Sequence, residues 1–102
     1  MADRLEMLRK MTEGGSKDPF HWYALAMELR SHDRPEDALA AYGDVRDAFP
    51  DYVATYLMAG QVAHELEQTD VARGWLEAGL VVAAKAGEGK AQSELQQLLD
   101  ML

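Results

Sequence analysis

Positions 34 apart in this chain carry side chains of matched size. Trp22 pairs with Tyr56, Leu25 with Ala59, Ala26 with Gly60, Ala38 with Ala72, and Tyr42 with Leu76. Large residues meet large or medium ones, and small residues meet small ones. Ala26, Gly60, Ala38 and Ala72 lack bulk where two helices must approach to about 8–10 Å, so the pattern has a packing reason. Trp22 to Pro50 is the better-formed copy: two antiparallel helices joined by a tight turn at His32-Asp33-Arg34. A helical hairpin of this kind cannot bury both its faces alone, so a chain that repeats one must stack its copies.

In chain order the sequence predicts six helices. The first covers residues 3–13, with Asp3 as N-cap and Leu5, Leu8 and Met11 on one stripe, and Gly14-Gly15-Ser16 stops it. Asp18-Pro19 opens the second, an acidic cap followed by proline at the first helical position. Its Trp22, Leu25, Ala26 and Leu29 make one buried face. The third starts at Pro35, turns Ala38, Leu39, Tyr42, Val45 and Phe49 inward, and ends at Pro50. Asp51 is read as the cap of the fourth, with Tyr56, Ala59, Gly60, Ala63 and Leu66 inside. Thr69 is read as the cap of the fifth, whose stripe is Ala72, Leu76, Gly79, Leu80 and Ala83. No proline stands at position 84 to match Pro50, so this helix runs on to Gly87, a C-cap. Residues 89–101 form the sixth, with Leu95, Leu98 and Leu99. Nothing alternates with period two over a useful length, so no strand is expected.

The order W-x2-L-A … A-x3-Y … P, read from Trp22, Leu25, Ala26, Ala38, Tyr42 and Pro50 in a 34-residue helix–turn–helix unit, is similar to the tetratricopeptide repeat. The resemblance covers essentially the whole chain and implies a short right-handed all-α superhelix of about six antiparallel helices. Its divisions are an N-terminal helix in 1–18, a first repeat in 19–52, a second in 53–86 and a capping helix in 87–102. The second repeat is worn: Ala59 replaces a large residue, Gly79 the usual alanine and Ala84 the proline. Carrying the register forward strictly would bury Lys90, Ser93, Glu94 and Gln97. A one-residue slip in the Lys85–Gly89 connection buries Ala91, Leu95 and Leu98 instead, and that slip is the expectation.

Charge and composition narrow the function. Eighteen acidic residues against ten basic ones give a net charge of −8, which repels a polyphosphate at long range and argues against general nucleic-acid binding. The absence of cysteine excludes disulfides and thiolate metal sites. The opening residues MADRLEMLRK contain no apolar core of the signal-peptide kind, and the longest uncharged apolar run, residues 78–84, is too short for a bilayer. These features predict a cytoplasmic protein with no membrane role.

Catalytic and ligand motifs break off before completion. His64-Glu65 begins like a zinc-protease H-E-x-x-H, but position 68 is Gln. His21 and His32 share no ligand spacing with it. Gly14-Gly15-Ser16-Lys17 lacks the spacing of a phosphate loop, and Gly87-Glu88-Gly89 does not continue to a third glycine at position 92. Glu36-Asp37 and Asp44 with Asp47 are too dispersed for paired catalytic carboxylates, and acids in a first helical turn are ordinary dipole compensation. The sequence therefore predicts no enzyme, no cofactor and no metal.

What the resemblance implies is a binding module. In that family the first helix of each repeat lines a concave groove that holds a peptide or protein segment. The outward positions of the first unit are Phe20, Tyr23, Met27 and Arg30, and those of the second are Ala54, Leu57, Gln61 and His64, with Met58 beside them. This set offers aromatic and methionine anchors and a cationic or titratable rim at Arg30 and His64, suited to a peptide with apolar anchors, including one that ends in a carboxylate. The family's chaperone-tail binders use Asn and Lys at groove positions. This chain has no Asn, and Tyr23 and Met27 stand there, which argues against a heat-shock co-chaperone role. The alternative is a self-associating assembly module, a homo-oligomer in which another copy covers the same apolar face.

Overall fold

Six helices and no strand make up residues 3–102, the residues that this computed structural model describes. Met1 and Ala2, which open the segment assigned to 1–18, lie outside them. The helices are α1 (Arg4–Glu13), α2 (Pro19–Ser31), α3 (Pro35–Ala48), α4 (Ala54–Glu65), α5 (Thr69–Ala86) and α6 (Gly89–Asp100). Each packs on the next in sequence, and α4 also touches α6. This is the all-helical repeat fold that the spacing predicts.

Of the four side-chain caps expected from the sequence, two form and two do not. The Asp3 carboxylate accepts from the Glu6 N–H at 2.8 Å, and that of Asp18 from the Phe20 N–H at 3.0 Å, just before Pro19. Each satisfies a backbone donor that a helix start leaves open. Asp51, by contrast, caps nothing: it is exposed in the preceding turn, and Val53, already helical at φ −59° and ψ −39°, precedes α4. Thr69 is the first residue of α5 rather than its cap, with Gln68 before it and no side-chain cap bond. The turn geometry decides this, because it is a copy of the one before α3.

That copy is visible in the backbone. Asp33 and Glu67, 34 residues apart, are the two non-glycine residues with positive φ among the described residues, at 57° and 60°. Behind each, a backbone N–H reaches back five residues: Arg34 to the Leu29 carbonyl at 3.0 Å, and Gln68 to that of Ala63 at 2.9 Å. A second correspondence joins the units end to end. The Trp22 Nε1–H donates to the Ser16 carbonyl at 2.8 Å, and the Tyr56 hydroxyl to the Pro50 carbonyl at 2.5 Å. Each aromatic ring is thus tied to the connection six residues before it. The polar atom of a largely buried ring needs such a partner.

The core follows the small-residue positions. Ala26, Ala38, Tyr42, Val45, Ala59, Val62, Ala63, Ala72, Leu76 and Ala83 have no exposed surface. Trp22, Leu25, Leu39, Phe49, Leu66 and Leu80, all expected inside, are half-buried at its edges. On α1 the inward stripe is Leu5, Leu8 and Thr12; Met11 lies outside it, 37% exposed. Thr12 tolerates this because its hydroxyl donates to the Arg9 carbonyl at 3.0 Å. The long α5 ends as expected at Gly87, at φ 70°. The slip before α6 is also seen: Leu95 is buried and Ala91, Leu98 and Leu99 half-buried, with Lys90, Ser93 and Gln97 exposed.

Candidate functional site

The alternation of helices puts α2, α4 and α6 side by side, and between them lies a cavity of about 370 Å³. Tyr23 of α2, Leu57 and Met58 of α4, and Ala91 and Leu95 of α6 form its apolar wall. Val53 and Ala54 close the end where α4 begins, and Glu88, Lys90 and Glu94 edge the α6 side. The wall exists because α4 presents the stripe Ala54, Leu57, Met58 and Gln61 opposite to its buried stripe of Tyr56, Ala59 and Ala63.

Of the nine residues singled out in the sequence, Ala54 closes one end of the cavity and the other eight divide into three groups. Tyr23, Leu57 and Met58 line the cavity. Arg30 and Gln61 are drawn together just beyond it: the Arg30 guanidinium donates to the Gln61 carbonyl oxygen at 3.3 Å, lies 3.8 Å from the Met58 sulfur, and is paired with Glu65. Phe20 and Met27 stand clear of the cavity, 50% and 43% exposed, and His64 is exposed without an ion pair among the described residues. The cationic rim read at Arg30 is therefore neutralised by α4.

Tyr23 is held from behind. Its ring lies 5.5 Å from that of Tyr52 and 6.0 Å from that of Tyr42, both tilted. Burial pushes the Tyr23 phenol above its ordinary value, the Tyr52 phenol adds to this, and Arg30 opposes it. Burial raises Tyr42 much further, and its hydroxyl has no hydrogen-bond partner among the described residues. Both rings are neutral apolar surface with a polar tip at any physiological pH.

The histidines are dispersed. The His21 Nδ1 shares a hydrogen bond of 2.7 Å with the Ser16 hydroxyl, and His32 lies 3.4 Å from Glu28. Among the described residues no three His, Asp or Glu side chains converge as a metal site would require. No described helix is long and apolar enough to cross a membrane.

No protein-family model matches the sequence, and no curated protein does. Solved structures do. The crystal structure of a tetratricopeptide repeat domain protein from Salinibacter ruber is 40% identical, over 81% of this chain and 92% of that one, with a TM-score of 0.75. This chain belongs to the tetratricopeptide repeat family. The solution structure of a tetratricopeptide repeat domain protein from Salinibacter ruber agrees, at 40% identity over 81% of this chain and 84% of that one, with a TM-score of 0.77. A Bordetella parapertussis protein solved in solution shares the fold at 24% identity and a TM-score of 0.82, over 99% of this chain and 88% of that one. α2 and α4 open hairpins whose turns lie 34 residues apart, and α6 is the next helix that borders their shared cavity.

That last placement explains what the sequence reading missed. It carried the groove positions of α2 onto α4 and treated α6 as a cap, so Ala91, Glu94 and Leu95 were absent from the site. The slip that buries Leu95 was the available signal, because a helix packed by that stripe must also present a flank to α4.

Proposed function

We propose that this tetratricopeptide repeat protein is a non-catalytic interaction module that holds a segment of another protein against α2, α4 and α6. One observation carries the reading: a preformed apolar cavity whose wall is contributed by all three helices. Binding sites are mostly apolar concavities of about this size with a few polar groups at the edge. Tyr23 and Leu57 supply rigid and branched anchoring surface, and Met58 adapts to the shape of what docks. With Arg30 paired to Glu65, an apolar segment fits the groove better than one presenting a terminal carboxylate.

Ala54 gives the cleaner test, since Tyr23 also supports Tyr42 and Tyr52. Ala54 is exposed, starts α4 and borders the cavity, so Ala54→Trp fills it without disturbing the core. Peptides selected by display on the native protein are expected to bind Ala54→Trp at least about tenfold more weakly, with the melting temperature unchanged. Equal binding to both proteins overturns the groove.

A second reading, self-association, is favoured by a different surface. Met7, Met11, Phe20 and Met27 are all between 37% and 50% exposed on α1 and α2, outside the cavity. Light scattering over a concentration series separates the two: a rise in mass that Met27→Lys abolishes supports assembly, and a constant monomer mass removes it.

A further inference from the structure

We infer that the segment held in the groove inserts a lysine or arginine side chain into the cavity, its methylene stem along the apolar wall and its charge at Glu88 and Glu94. The inference rests on the groove reading and adds the chemistry of the anchor. Neither Glu88 nor Glu94 takes part in an ion pair among the described residues, although both border the cavity and Glu94 is itself half-buried. Lys90, the cation between them, is exposed and pairs with neither within 4 Å, so carboxylates outnumber cations at this edge. Just beyond the cavity Arg30 offers no free charge, being paired with Glu65 and bound to Gln61. The chain as a whole carries −8, which draws a cationic segment in and repels an acidic one.

The shape of the cavity matches the same side chains. Lysine and arginine lay an apolar stem on apolar surface while keeping a charged tip at water. Here the stem meets Leu57, Met58 and Ala91, and the tip reaches the open edge where the two carboxylates stand. The Tyr23 ring, on the same wall, adds a face that attracts a cation. A leucine would fill the wall and leave both carboxylates unanswered. A glutamate would set a third carboxylate against them.

Three nonapeptides test this. Each is polyalanine with leucine at the third and seventh positions, acetylated and amidated, and they differ only in a central arginine, leucine or glutamate. Each is titrated into the isotopically labelled protein and followed by amide chemical shifts. The arginine peptide is expected to move Leu57, Ala91 and Glu94, to bind about tenfold more tightly than the glutamate peptide, and to lose that margin in Glu88→Gln/Glu94→Gln and at high salt. If the leucine peptide binds best and Ala54→Trp blocks it, the groove stands and the cationic anchor is overturned. An arginine margin that survives Glu88→Gln/Glu94→Gln also overturns it. If no peptide moves these residues, or they move with protein concentration alone, both readings fall.

Discussion

The two helical hairpins share a backbone but distribute their bulk differently. In α2–α3 the aromatic rings concentrate around the first helix: Trp22 meets Phe49 edge-on at 6.3 Å, and Tyr23 contacts both Tyr42 and Tyr52. In α4–α5 the equivalents are smaller, and the volume returns elsewhere. Trp75, at the position of Ala41, packs edge-on against Tyr56 at 5.9 Å, with the Arg46 guanidinium 4.5 Å from its ring centre. Gly79 stands where α3 has Val45, and the space is taken by Tyr56 and Leu95. The worn appearance of the second repeat is thus a different filling of the same volume, as expected if cores conserve volume before identity. Gly60 and Gly79 are functional parts of that packing, since a methyl group at either would meet a neighbour at 2.5 Å.

The strongest way to break the comparison is to charge the position that both units share. Ala38 and Ala72 have no exposed surface, so Ala38→Glu and Ala72→Glu each bury an unpaired carboxylate between helices. Each is expected to cost about 4 kcal/mol or more, enough to abolish the cooperative urea transition. A fold that survives either would deny the equivalence of the two positions. Next come the glycines. At Gly79 the new methyl meets the Tyr56 Cβ at 2.5 Å and Leu95 at 3.0 Å, whereas at Gly60 it meets one side chain, Leu76, at 2.5 Å from Cδ2 and 2.9 Å from Cγ. Overpacking costs about 1–3 kcal/mol, offset by about 1 kcal/mol of helix propensity. Gly79→Ala is therefore expected to destabilise clearly and Gly60→Ala less so, as read by denaturant midpoints.

A smaller effect sets Tyr42 against its counterpart Leu76. The Tyr42 hydroxyl is buried without a partner among the described residues, and Leu76 has no hydroxyl to strand. Tyr42→Phe is expected to stabilise by about 1 kcal/mol. It should also blunt alkaline unfolding. Tyr23, Tyr42 and Tyr56 all titrate above tyrosine's ordinary value of about 10, chiefly through burial. The unfolded chain then loses protons first as pH rises. Stability is full below about pH 10 and falls above it, with hydrogen exchange in α2–α3 rising before that in α4–α5. The smallest change lies in the turns. Glu67 holds positive φ with a longer side chain than Asp33, which belongs to a type that tolerates this conformation better. Glu67→Gly is expected to raise the melting midpoint by the equivalent of about 0.5 kcal/mol, and Asp33→Gly by less.

Much of the fold was legible because helix period and small-residue spacing are local signals. The six helices, the Asp3 and Asp18 caps, the Gly87 terminus and the slip before α6 all follow from residues close in sequence. Asp51 and Thr69 misled because a cap-forming residue near a helix start looks the same whether or not the turn brings it into line. The site was less legible. Tyr23, Leu57 and Met58 could be placed on outward stripes, but a stripe does not say which helix stands opposite. Nor does it say that an arginine on it is already paired, as Arg30 is with Glu65 across 35 residues of chain.

By itself, the sequence determined the 34-residue spacing, the helices and most of the inward face of each, since these depend on the spacing of apolar and small residues along the chain. The tertiary structure alone decided which outward residues meet. It joined Tyr23 to Leu57, Met58 and Ala91 around one cavity, neutralised the charge of Arg30 and left Glu88 and Glu94 at the edge without an ion pair among the described residues. The physical reason is that a helix fixes its own stripes through local backbone bonds, whereas the partner of each stripe is set by close packing between helices distant in sequence.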